Sequence, residues 1–299
     1  MIKTLDPASP AARDLAAGRY VIRTMSVLDM ARVAIPWMAD AGWNPGLHDA
    51  ETFPVADPGG FLVGELDGIP IAIVSGVRYG DDFAFLGCYI VAEAFRGHGH
   101  GLAIHEAARR RLVGCVQGGD AVLENIATYE RIGRVLAYSN ARYEGAGPAG
   151  RPFPSDPTID ARAVDPGQLA AFDRTCFPAS RTAFLRAWID QPDAHARALL
   201  IGGQLAGFGV VRPCHRGWKI GPLFAAHAPT ARALFASLCA RVPAGETVIL
   251  DVPEPNAAAV ALATGHGMAQ SFATARMYTG PAPQISLDRV FGVTTFELG

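Results

Sequence analysis

A chain of 299 residues, half of them hydrophobic and 18% charged, can bury the cores of two ordinary domains. Its formal net charge is −2, its only lysines are Lys3 and Lys219, and no basic run occurs, so a nucleic-acid partner is not expected. Five scattered cysteines without a CxxC pair, no apolar signal core in residues 1–18, and no apolar run near the roughly 20 residues that span a bilayer predict a cytoplasmic protein without disulfides, structural zinc or a membrane partner.

The first strand is Arg19-Tyr20-Val21-Ile22-Arg23. Ser26, with Asp29 three residues on, resembles an N-capping arrangement and opens a helical pattern through Met30, Ala34 and Met38, which Pro36 should kink or shorten. The loop Trp43-Asn44-Pro45-Gly46 follows, and Asp49 can cap a short second helix. Residues 60–66 and 69–78 form a hairpin around Asp67-Gly68. Residues 83–91 are apolar on both faces, which predicts a central strand. After a Gly-rich loop come a helix over 102–113, a short strand at 121–123, a short helix over 127–132 and a closing strand over 135–143. Residues 145–152 have the Gly, Ala and Pro content of a boundary, which puts a linker at 146–157 between domains 1–145 and 158–299.

The pattern then repeats. Residues 198–201, Gly202-Gly203 and 204–212 read as a second hairpin, and Asp67 and Gly202 lie 135 positions apart (202 − 67). Gly133 and Gly267 are 134 apart, and Arg142-Tyr143-Glu144-Gly145 answers Met277-Tyr278-Thr279-Gly280. Three separated landmarks with one offset, to within a residue, imply a duplicated domain.

Arg96-Gly97-His98-Gly99-His100-Gly101 follows an apolar strand and opens a helix. Its glycines let backbone N–H groups turn toward a ligand, and the helix start adds partial positive charge, so the segment reads as a diphosphate site with Arg96 in support. A dinucleotide fingerprint needs GxGxxG within a βαβ unit, and a P-loop needs GxxxxGK[ST]; neither is present.

The order strand, two helices, three-strand meander, Gly loop, helix, strand, helix, strand resembles the GNAT superfamily of acyl-CoA N-acyltransferases. That superfamily carries [Q/R]-x-x-G-x-[G/A] where this chain has Arg96 to Gly101, and Tyr-x-x-x-Gly where it has Tyr129-Glu130-Arg131-Ile132-Gly133. The likeness covers 19–143 well and 158–278 as a weaker second copy, in an α/β (α+β mixed sheet) fold of two tandem domains. Trp43-Asn44-Pro45-Gly46 is similar to a segment of tandem-domain members.

The resemblance implies that acetyl-CoA is the co-substrate and a primary amine, on a small molecule, the acceptor; a CoA-binding sensor or scaffold is the alternative. It implies that backbone donors of Arg96, Gly97, His98, Gly99, His100 and Gly101 hold the diphosphate. The pantetheine arm then pairs with the strand edge at Tyr89, Ile90 and Val91, where a backbone N–H polarises the thioester carbonyl. Asn125 or Thr128 replaces the pantetheine-binding Asn of relatives, and Tyr129 is the general acid for the CoA thiolate. The base stays open among Glu124, Asp82, His48, Glu51 and a water chain. His98, His100 and His105 have no Asp or Cys to complete a ligand set, so no metal is expected, and His98 and His100 flank the phosphates or face water. The second copy has Ala263 in place of the Tyr and no Gly signature, so it is expected to shape the substrate cavity or support the first copy. Asp173 to Pro178, with Arg181, is a candidate to reach the acceptor site. Residues 291–296 look like a further strand whose docking place the sequence leaves open.

Overall fold

The computed structural model describes residues 20–147 and 156–299. The candidate linker falls largely outside them.

Strand β1 (Tyr20–Thr24) leads to helix α1, built of Val27–Asp29, a π-helical Met30–Ala34 and Ile35–Asp40. Ser26 and Asp29 close a reciprocal capping box, with Ser26 N donating to Asp29 Oδ2 at 2.7 Å and Asp29 N to Ser26 Oγ at 3.1 Å. The chain passes Pro36 without ending the helix; the wide π-turn just ahead absorbs the missing N–H. Short helix α2 (Asp49–Thr52) precedes β2 (Phe61–Leu66), β3 (Ile69–Tyr79) and β4 (Phe83–Val91). Helix α3 (His100–Arg111) begins two residues earlier than its periodicity indicates. Strand β5 covers Val116–Val122 rather than 121–123, then come α4 (Ile126–Glu130) and β6 (Val135–Ala146).

The second half repeats these elements: β7 (Ile159–Asp160), α5 (Pro166–Cys176), α6 (Thr182–Asp190), β8 (His195–Ile201), β9 (Gln204–Pro213), β10 (Trp218–Ala225), α7 (Ala228–Cys239), β11 (Thr247–Pro253), α8 (Ala257–Gly265) and β12 (Ala269–Tyr278). A last strand, β13 (Val290–Gly292), has no counterpart in the first half.

All strands join one mixed sheet in the order β1-β2-β3-β4-β5-β12-β6-β11-β10-β9-β8-β7, with β13 on β10. The closing strand of the first copy therefore does not pair with β5. β12 takes that place, and β6 lies between β12 and β11. At the centre Ser139 faces Ala275 and Asn140 faces Thr274. An offset of 134 maps Asn140–Thr274 onto itself and carries the register shift at Gln270/Phe272 onto the one at Arg276/Met277, so the copies meet about a local two-fold axis between β6 and β12.

The exchange is pinned by two buried ion pairs between residues directly opposite each other. Arg142 on β6 grips Asp251 on β11 at 2.6 and 2.8 Å, and Arg276 on β12 grips Asp120 on β5 at 2.8 and 2.7 Å. Arg276, not Met277, is thus the counterpart of Arg142, at the structural offset of 134 rather than the 135 of the sequence match. The main core also crosses the copies. Phe53 stacks on Trp188 at 6.2 Å, and the Arg212 guanidinium lies 4.5 Å over the same indole while pairing with Asp49 at 3.0 Å.

Candidate active site

Strands β4 and β5 run parallel but pair only at Phe83–Phe85 against Val116–Gly118, then part. The other edge of β4 stays paired with β3 up to Val91, so the edge from Leu86 to Val91 facing the split keeps free backbone groups. A bulge sits at the start of this edge: Ile73 faces Ile90 while Ser75 faces Gly87, and Cys88 between them takes φ +47°. The bulge turns the backbone of Cys88 and Tyr89 out of the ladder and into the split.

Two cavities occupy it. The larger, about 630 Å³, runs from the β4 edge to the Gly loop and includes Tyr89, Ile90, Val91, Arg96, Gly97, Gly99, Gly101, Asn125, Thr128 and Tyr129 in its wall. The smaller, about 120 Å³, lies deeper between β4 and β5 and is closed by Arg142, Phe272, Thr274, Phe296 and Glu297. Trp43, Tyr89, Asn125 and Tyr129 belong to both.

The wall of the larger cavity depends on glycine. Gly99 caps α3 at φ +89°, a left-handed conformation costly for other residues. A Cβ on Gly101 would run into the Tyr89 hydroxyl and lie 2.8 Å from Val91 Cγ2, so only glycine lets α3 approach β4 this closely. The Arg96 side chain donates from Nε to Val91 O at 3.0 Å, which ties the loop to the strand end.

Of the two loop histidines, only His100 departs from the expectation that they flank the phosphates or face water. The His98 side chain is exposed and His100 is buried, packed 4.6 Å from the Tyr20 ring, and neither side chain lines the cavity. Periodicity places His100 at the end of the Gly loop but cannot tell that its first-turn side chain points back at β1. His105 does line the cavity, 5.6 Å edge-on to Tyr89. Burial, and then Arg134, push its imidazole down to about 4, so it is neutral at physiological pH. Among the described residues no His, Cys, Asp or Glu cluster could hold a metal.

Burial raises the Tyr129 hydroxyl above its ordinary value against the opposing Arg134, whose guanidinium lies 5.7 Å from the ring centre. Burial pushes Tyr89 up to about 12. Both phenols keep their protons at neutral pH and can act as donors.

None of Glu124, Asp82, His48 and Glu51 lines either cavity. Glu124, Asp82 and Glu51 are exposed, and His48 Nε2 lies 2.9 Å from Asp193 Oδ2. Asp173 and Arg181 do not reach the smaller cavity either. They form a buried pair at 2.8 Å, and Arg181 donates onward to Thr294 Oγ1 at 2.8 Å and Gly299 O at 3.3 Å. They anchor the segment 293–299, which brings Phe296 and Glu297 to the cavity.

The Trp43 loop is fixed by the second copy. Asn44, at φ +56°, pairs through its side-chain amide with both Arg216 N and Arg216 O at 2.8 Å, and Lys219 Nζ donates to Asn44 O at 3.0 Å. Arg142 Nη1 donates to Trp43 O at 3.0 Å. The indole is thereby held at the meeting of the two cavities.

Residues 169–292 match the acetyltransferase (GNAT) domain family, and residues 29–133 match the acetyltransferase (GNAT) family. The chain is a tandem GNAT protein. A curated relative, holothin acyltransferase of Pseudoalteromonas sp. (strain SANK 73390), is 29% identical over 273 residues, covering 91% of this chain and 92% of that one. A candidate acetyltransferase from Pyrococcus horikoshii superposes with a TM-score of 0.79 at 19% identity, over 94% of this chain and 96% of that one. A tandem GNAT protein of the clavulanic acid biosynthesis pathway gives 0.58 at 13% identity, over 88% and 99%. The GNAT family uses acyl-CoA, and the split, glycine loop and free strand edge fit that ligand.

The second GNAT copy lacks the same opening. β10 and β11 also pair briefly, Trp218–Ile220 against Val248–Leu250, but β13 enters beyond that point. It pairs with β10 at Leu223 and Phe224, and Val293 N donates to Asp251 O at 2.8 Å. Asn256, the N-cap of α8, donates from Nδ2 to the carbonyls of Leu287, Asp288 and Val290 at 3.3, 3.1 and 2.9 Å. Asn125 is the corresponding cap of α4, and counting from the caps puts Val260, rather than Ala263, at the place of Tyr129. The Gly loop, residues 92–99 in the first copy, shrinks to residues 226–227 in the second.

Proposed function

We propose that this GNAT protein transfers an acetyl group from acetyl-CoA to the primary amine of a small molecule, by direct attack of nitrogen on the thioester carbon and without a covalent enzyme intermediate. One observation carries the reading: the long cavity on the glycine loop and the small cavity between the copies meet at Tyr129, Tyr89, Asn125 and Trp43. In this reading, backbone N–H groups of the loop from Arg96 to Gly101 receive the diphosphate. The free edge at Tyr89, Ile90 and Val91 receives the pantetheine amides as an added strand. A backbone N–H at the bulge supplies the oxyanion contact, and Tyr129 gives its proton to the departing sulfur. The acceptor occupies the cavity of about 120 Å³, whose closure by both copies favours a small, partly apolar amine over a polymer end.

Tyr129→Phe tests the role of the hydroxyl. The rate constant kcat is expected to fall about 10–100-fold, at or somewhat below the low end of the general acid–base range, with acetyl-CoA affinity unchanged, because the ring stays and only the proton donor is lost. Unaltered turnover would remove Tyr129 from the mechanism.

A further inference from the structure

Among the described residues, the smaller cavity contains one carboxylate that no side chain engages in an ion pair. Glu297 is 5% exposed and reaches the cavity from the segment that follows β13. A Cβ on Gly87 would collide with the Glu297 carbonyl oxygen, so this backbone lies directly on the bulge that opens the cleft. The other cavity carboxylate, Asp120, is engaged at two points by Arg276. Asp49 and Asp251 behind it are engaged by Arg212 and Arg142. Among the described residues Glu297 is in no ion pair, and its carboxylate accepts a hydrogen bond from Thr295 Oγ1.

We propose that the Glu297 carboxylate accepts the proton of the amine nitrogen as it attacks. The proposal rests on the amine-acetylation reading above. The C–N bond forms and a nitrogen proton passes to Glu297, the C–S bond breaks, and Tyr129 supplies the proton that the sulfur takes. One proton then returns from Glu297 to Tyr129 through solvent, so the sum is amine plus thioester giving amide plus thiol.

The surroundings suit a proton acceptor. Lys219 on β10, Arg142 on β6 and Arg212 on β9 favour the carboxylate, while Asp49 on α2, Asp120 on β5 and the Cys88 thiol on β4 face it without helping. Burial outweighs the cations and raises the Glu297 carboxyl above its usual range, toward the pH at which a base is most useful.

The test uses the full chain, acetyl-CoA, and the fastest acceptor in a panel of tyramine, aniline, spermidine and an alanyl peptide. Glu297→Gln should keep the thermal midpoint and the acetyl-CoA affinity and lower kcat about 100-fold, at the low end of the range for general bases. In the wild type kcat rises with pH through the Glu297 pKa, since only the ionised form takes a proton, and this limb should vanish in the variant. Carbon-13 NMR of labelled glutamate, assigned by its loss in Glu297→Gln, should titrate with the same midpoint. Thr295→Val, which leaves Glu297 in place but removes its hydrogen bond, should move limb and resonance together to higher pH and keeps the proposal open to refutation should Glu297→Gln not fold. Full activity in a folded Glu297→Gln, or a limb unmoved in Thr295→Val, overturns the proposal while acetyl transfer stands. Absence of any acetylated amine with the wild type removes the acetyltransferase reading, and the proposal with it.

Discussion

The two GNAT copies share a strand plan and part their parallel strands at the same point, yet the openings have opposite contents. In the first copy the split beside β4 is a cavity rimmed by glycines. In the second the split beside β10 is filled by the chain's own β13, held through the Asn256 amide. A sheet split of this kind leaves backbone groups that need partners, and the same need can be met by a ligand or by a strand. The copy that took a strand also carries it onward, because residues 293–299 run from that split into the wall of the smaller cavity of its sister. The segment that fills the split in one copy thereby closes the cavity of the other.

The largest effect expected from this contrast is on acetyl-CoA binding. Calorimetric titration should give one site per chain. Gly99→Glu should abolish it, since the loop loses its left-handed residue and gains a negative charge where phosphates are proposed to sit. The matching change in the second copy, His227→Glu at the start of α7, should leave the titration unaltered. Two sites per chain, or loss of binding in His227→Glu, would break the comparison at its root.

The ion pairs across the exchanged strands give the next effect. Asp120→Ala and Asp251→Ala each strand a buried arginine opposite an apolar side chain. Each should cost about 3–5 kcal/mol in urea unfolding, the range for breaking one partner of a buried pair. Equal costs would support a symmetric exchange. If only Asp120→Ala destabilises, β6 is held in the second copy by apolar packing and the two-fold relation is geometric rather than energetic.

The sequence displays the first copy more openly than the join between copies. The glycine spacing before α3 and the tyrosine on α4 are local signals and lie where the order of elements predicts. The sequence shows only 121–123 of strand β5, since Gln117-Gly118-Gly119 has little strand propensity. Those glycines answer to the tertiary structure: a Cβ on Gly118 would meet Phe85 and Tyr278 at about 3 Å, and one on Gly119 would meet Leu86 O at 2.9 Å. The exchange of β6 and β12 is not written in periodicity, because each strand satisfies its alternation beside either partner. Glu297 belongs to no motif that marks it in the sequence. Its one local signal is a lone acid within the apolar run from Val290 to Leu298, a place where a carboxylate is either a mistake or a site.

The smallest effect separates the two equivalent asparagines. Asn125 caps α4 without using its side chain and lines both cavities, whereas Asn256 spends its amide on three carbonyls of the strap. If a pantetheine carbonyl takes the place in the first copy that β13 holds in the second, Asn125→Ala loses one ligand hydrogen bond. That loss is worth about 1–1.5 kcal/mol, or about tenfold in acetyl-CoA affinity, with no change in stability. Asn256→Ala removes a donor from three carbonyls, of which Leu287 O keeps the Val290 N–H, so its cost of about 1–3 kcal/mol should appear in unfolding rather than in acetyl-CoA binding. It should also lower kcat, since a loosened β13 segment presents Glu297 less well to the amine. An Asn125→Ala protein that binds acetyl-CoA normally but unfolds early would reverse the assignment, making Asn125 the structural residue and leaving Thr128 to meet the cofactor.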